Sequence, residues 1–129
     1  GLGDVYKRQP LMITENCLVQ NETGCRLDRQ GPCVPEDGPC RCGQPNVLVD
    51  RTGAAFPLLP AYGHRTEIQN SKPLYLADRP EHRRLGLAYA RLRFTTETAE
   101  ECVSVVQNYL DAAPAAGDFT RGLYERGVE

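Results

Sequence analysis

LYLADRPEHRRLGLAYARLRFTTETAEECVSVVQNYL, Leu74 to Leu110, is the stretch that decides the fold class. Leu74-Tyr75-Leu76 is a short apolar strand, and Asp78 with Pro80 and Glu81 just beyond it starts a brief helix that Gly86 can end. Ala88 to Phe94 then alternates as a strand, with Ala88, Ala90, Leu92 and Phe94 on one face and Tyr89, Arg91 and Arg93 on the other. Thr98 and Glu101 form a T-x-x-E capping box at the head of the clearest helix. Cys102, Val105, Val106, Tyr109 and Leu110 keep the rhythm of one buried helix face. Strand, helix, strand, helix is the tail of an α/β domain, in which active groups gather on loops after strand C-termini.

Upstream, Val47-Leu48-Val49, the turn Asp50-Arg51-Thr52-Gly53 and the run Ala54 to Leu59 spell a hairpin in which Gly53 supplies the turn conformation. Pro57 and Pro60 mark its second arm as an edge strand or an extended segment. Leu11-Met12-Ile13 is a buried-strand candidate, and Asn16 to Pro45 is a long loop of the kind that is functional or stapled. At the front, GLGDVYKRQ (Gly1 to Gln9) has no initiator methionine and no apolar segment of signal-peptide length. It resembles translated sequencing-adapter read-through and is set aside as a non-native leader. The native sequence is then expected to begin at Pro10, within a strand, with more of the protein upstream.

Five of the six cysteines fall in that loop, as C-x₇-C-x₇-C-x₆-C-x-C from Cys17 to Cys42. Thiols packed so densely serve a metal, a cluster or disulfides, and the spacing lacks the CxxC knuckles of a zinc ribbon. The sixth, Cys102, is expected as core.

The 129-residue chain is 40% hydrophobic and 25% charged, with net charge −2 and pI near 5.7. No basic field recommends nucleic acid or an anionic membrane, and no apolar run approaches the length of a membrane span. A cytoplasmic setting is expected, in which clustered cysteines favour metal ligation over disulfides.

PLMITENC (Pro10 to Cys17), CRCGQPNVLVDRTGAAFPLLPAYGHRTEIQNSKPLYLADR (Cys40 to Arg79), RLRFTTE (Arg91 to Glu97) and the closing FTRGLYERGVE (Phe119 to Glu129) together resemble the C-terminal part of collagenase-like peptidase family U-32. The resemblance implies an α/β, TIM-barrel-like catalytic domain of which residues 10–129 are the C-terminal segment. The N-terminal half is then missing, and residues 16–45 form a cysteine-rich loop. It further implies a nominal peptidase acting on peptides. Some relatives hold a four-cysteine iron-sulfur cluster (4Fe-4S) and take part in oxygen-independent hydroxylation of RNA bases or of a quinone precursor. On that pattern Cys17, Cys25, Cys40 and Cys42 are the metal ligands. Cys33 lies in what looks like an insertion, Tyr75 stands near the place of the fourth cysteine of the hydroxylase-type relatives, and His64 in the YGHR turn is a substitute ligand.

Zinc or disulfide staples in a non-catalytic cap are the structural alternative for the same cysteines. For a hydrolase, the chain shows neither GxSxG nor HExxH, leaving Cys17 or Cys42 with His64 as the conceivable dyad. Glu15 and Asp50, near strand ends, are candidate acid/base carboxylates. Arg65, Glu67, Asn70, Ser71 and Lys72 form a polar run suited to an anionic substrate, with Arg65, Asn70 and Lys72 as binding residues and Arg121 and Arg126 in support. Against that stands a solvated loop, with the tail paired to Glu125 or Glu129. His82 is expected at the surface.

Overall fold

The computed structural model describes residues 2–23, 44–79 and 81–124. Its strands are β1 (Leu2–Thr14), β2 (Asn46–Val49), β3 (Ala55–Ala61), β4 (Arg65–Tyr75) and β5 (Tyr89–Leu92). Its helices are α1 (Leu18–Thr23), α2 (Glu81–Arg84) and α3 (Ala99–Leu110). The strands make one mixed sheet in the order β2-β3-β4-β1-β5. β2, β3 and β4 run antiparallel in succession, and β5 pairs parallel with β1.

This open mixed sheet corrects the expectation of a TIM-barrel portion. A barrel of that type needs parallel strands joined by crossovers of a dozen or more residues. Here two tight turns reverse the chain instead. Val49 pairs with Ala55 around Gly53 (φ 85°), and Ala61 pairs with Arg65 around Gly63 (φ 75°). The first turn is the one expected. Asp50 Oδ1 accepts hydrogen bonds from the Thr52 amide (2.7 Å), the Thr52 hydroxyl (2.7 Å) and the Ala54 amide (3.0 Å). These donors, Thr52 foremost, hold the Asp50 carboxyl below its ordinary value. Asp50 thereby forms the turn.

β3 is interior, not an edge, despite its two prolines. Amides of successive strand residues face opposite neighbours, so Pro57 and Pro60, three apart, withdraw one donor from each side of the strand. The polar run 65–72 is likewise a strand rather than a loop. β4 buries Thr66, Ile68 and Gln69, and polar side chains at two of those places hid it.

The chain divides into two compact units, Pro10–Ser71 and Gly1–Gln9 with Lys72–Glu129. In the first, Pro57, Leu58, Thr66, Ile68 and Gln69 are buried, and Leu58 pairs across the sheet with Ile68. Leu11, Met12 and Ile13, expected to be buried, are each more than half exposed.

In the second unit Val5, Tyr6, Tyr75, Leu76 and Ala77 are buried. Leu92, Phe94, Val105, Tyr109 and Phe119 pack against the Tyr6–Tyr75–Ala77 cluster. The rings of Tyr6 and Phe94 lie 5.5 Å apart and those of Tyr75 and Tyr109 5.4 Å, the spacing at which tilted aromatic pairs attract. Each tyrosine hydroxyl is satisfied: Tyr109 donates to the Val5 carbonyl (2.5 Å) and accepts from the Leu76 amide (2.8 Å), and Tyr75 donates to the Ala113 carbonyl (2.9 Å). Tyr6 donates to Glu97 (3.2 Å). Burial pushes the Tyr109 hydroxyl up to about 12. Residues 2–9, set aside above as a leader, form the first part of β1 and contribute Val5 and Tyr6 to this core.

The capping box forms as read. Thr98 Oγ1 accepts from the Glu101 amide (3.2 Å), and Glu101 Oε2 accepts from the Thr98 amide (2.7 Å). The apolar face is narrower than the sequence suggests, since no residue of α3 is fully buried and Val106 and Leu110 are exposed. Cys102 is half-buried rather than core. After α3 the chain returns beside the end of β4, where Thr120 bridges Leu74: the Tyr75 amide donates to the Thr120 carbonyl (3.1 Å) and the Thr120 amide to the Pro73 carbonyl (2.9 Å). Arg121 then forks onto both oxygens of Asp78 at 2.7 Å and donates to the Tyr75 carbonyl at 2.6 Å, while Glu125 and Glu129 lie outside the described residues.

Candidate functional site

β1 ends at Thr14, whose hydroxyl donates to the Asn16 carbonyl (2.5 Å) and turns the chain toward α1. Cys17 is the residue before that helix, and its carbonyl accepts from the Gln20 amide (3.2 Å). The Leu18 amide donates to the buried Thr66 hydroxyl (3.1 Å), which fixes the start of α1 to β4. Cys17 is a half-buried free thiol.

The β3–β4 turn supplies the second half of the site. Tyr62 is 97% exposed at its tip, and His64 follows with φ 58°. A left-handed backbone costs a residue with a Cβ roughly 1 kcal/mol, and glycine would avoid it. A cavity of about 190 Å³ lies within this unit, lined by Cys17, His64, Arg65 and Thr66 and by the apolar atoms of Val19, Leu58, Leu59 and Ala61. Two residues singled out in the sequence, Cys17 and His64, thus share one cavity, and Arg65 joins them. Thr66 was missed because β4 was not legible as a strand, and Val19 and the β3 residues because apolar side chains carry no signal of a site.

Arg65 reaches Glu15 with Nε and Nη2, both 3.1 Å from the same oxygen, Oε2. The pair is exposed, at 46% for the arginine and 77% for the glutamate. Asn70 is half-buried on β4. Lys72, exposed, belongs to the other unit and lies 3.6 Å from Asp118. Arg65, Asn70 and Lys72 are therefore divided between the two units.

Cys25, Cys33, Cys40, Cys42 and Arg126 lie outside the described residues, as does most of the span 16–45. His82 lies in α2. Among the described residues no three histidine, cysteine, aspartate or glutamate side chains gather into a metal-holding group. No described helix is long and apolar enough to cross a membrane. Of the described carboxylates, Glu97 is the most enclosed by donors. Burial alone would raise it, yet the amides of Thr95 (2.7 Å) and Thr96 (3.1 Å) and the Tyr6 hydroxyl hold it below the ordinary glutamate value. It shapes the entry to α3 rather than a cavity. Comparison with protein-family models, with the curated proteins and with the solved structures returns no match.

Proposed function

We propose that the chain is a segment of a U-32-type protein and that its Cys17–His64 cavity belongs to a thiolate-and-imidazole centre for an iron-sulfur cluster. Cys17 and His64, brought from distant parts of the sequence to one cavity, carry this proposal. Their donor chemistry suits iron as well as zinc. A 4Fe-4S cluster takes four ligands, for which Cys17, Cys25, Cys40 and Cys42 are the proposed set, with His64 as a substitute for one thiolate and Cys33 a bystander. A cluster bound there would supply one-electron chemistry, directed at RNA or a quinone precursor. The protein's own contribution is to hold Cys17 against β4 through the Leu18–Thr66 bond and to keep the imidazole at the cavity through the β3–β4 turn.

The same pair favours a second reading, a peptidase in which Cys17 is the nucleophile and His64 its base. Metal and sulfide analysis of the chain purified without oxygen separates the two. Iron and sulfide in comparable amounts, lost in Cys17→Ser, are expected. Zinc alone would make the centre a structural staple. Metal-free protein whose peptide cleavage is abolished by thiol alkylation would establish the peptidase.

A further inference from the structure

We infer that the Cys17–His64 cavity takes a small organic carboxylate with a short apolar body, its charge held by Arg65. The inference rests on this cavity being the working site and concerns it free of metal, since a cluster on Cys17 and His64 would fill the same space. Its walls divide into two kinds. Leu58, Leu59, Ala61 and Val19 offer apolar surface, whereas Arg65 and His64 stand together at the turn end. An apolar pocket with a few convergent polar groups is the usual form of a small-molecule site. Its polar end selects for negative charge, because its one permanently charged side chain is a guanidinium.

Arg65 is already answered by Glu15, and the manner of that pairing points to displacement by a ligand. Both contacts fall on a single carboxylate oxygen, Oε2, instead of the parallel two-oxygen fork that arginine and carboxylate form when the pair is optimised. Both partners are also substantially exposed, where such a pair contributes little to stability. A carboxylate entering the cavity offers the same guanidinium two oxygens in place of one, the parallel fork that Glu15 does not make. Glu15 acts as the placeholder that keeps the arginine poised. His64 sits next to Arg65 and lines the same cavity.

The volume of about 190 Å³ suits a ligand of a few carbon atoms. Isovalerate is an appropriate probe, with isovaleramide as its uncharged counterpart. Titration of the full chain, treated with chelator so that metal is removed, followed by ¹H–¹⁵N spectra, is the test. Isovalerate is expected to shift the amides of residues 17–19 and 58–66 and to bind about tenfold more tightly than the amide, the ratio a charge-assisted hydrogen bond provides. Arg65→Gln should weaken isovalerate by a similar factor and leave isovaleramide unchanged. Glu15→Gln, which frees the guanidinium, should tighten it. His64→Gly should weaken binding while raising the thermal midpoint, which separates loss of the ligand from loss of the fold. Equal binding of acid and amide, or an Arg65→Gln variant that binds isovalerate as the parent does, would overturn the inference. Such a failure is distinct from failure of the iron-sulfur proposal, because the titration is made on metal-free protein.

Discussion

Replacing Asp78 by asparagine removes the charge from the most geometrically complete ion pair among the described residues. Arg121 reaches both Asp78 oxygens at 2.7 Å, and the two side chains are only 15% and 24% exposed. The Arg121 guanidinium also lies 4.6 Å from the centre of the Phe119 ring and donates to the Tyr75 carbonyl, so it ties the returning chain to the end of β4. A charge-assisted fork of this kind contributes about 1.5–3 kcal/mol when screened little. Partial exposure and the hydrogen bonds that asparagine retains reduce the expected loss to about 1.5 kcal/mol. With a urea slope near 2 kcal/mol per molar, the midpoint should fall by about 0.7 M at neutral pH. The pH dependence gives the sharper check. The Arg121 hydrogen bonds hold the Asp78 carboxyl below its ordinary value. Its contribution is therefore complete above the unfolded aspartate value of about 3.9 and is lost as pH falls through the depressed folded value. The gap between parent and variant should close in strongly acidic urea titrations followed by tyrosine fluorescence, the chain having no tryptophan. Arg121→Lys, which keeps the charge but not the fork, should itself lose more than half as much as Asp78→Asn. A midpoint shift below about 0.2 M at neutral pH, or a gap that persists unchanged in acid, would refute the role given to the pair.

Other perturbations probe other parts of the fold. Thr98→Ala removes the cap of α3 and should cost about 1 kcal/mol in chemical denaturation, with lower helical signal in far-UV circular dichroism. Tyr6→Ala empties part of the aromatic core and should cost about 3 kcal/mol; an unchanged midpoint, or an unchanged midpoint after deleting residues 1–9, would show that this stretch is an unpacked leader. Gly53→Ala meets no neighbour but is held at φ 85°, so calorimetry should show a loss of about 1 kcal/mol from backbone strain alone. In a cysteine-to-serine series read by bound metal, positions 17, 25, 40 and 42 should each lose it and position 33 should not.

The sequence announced features whose physics is local. The capping box at Thr98 and Glu101, the Gly53 hairpin, the stop at Gly86 and the strand before α3 involve residues a few positions apart, whose backbone preferences are present before any tertiary contact forms. The thiol-rich character of the span 16–45 and the standing of His64 as a candidate donor were likewise legible from residue type. Three things depended on partners distant in sequence. β4 was hidden because Thr66 and Gln69 are buried by what packs on them, and polarity alone marks such a stretch as loop. The direction of each strand, and with it the open mixed sheet in place of a barrel, is set by which strands pair, a choice that periodicity leaves open because parallel and antiparallel strands share it. The joining of Cys17, His64 and Arg65 around one cavity required α1 to be fastened to β4 by the Leu18–Thr66 bond, a contact between segments that share no local pattern.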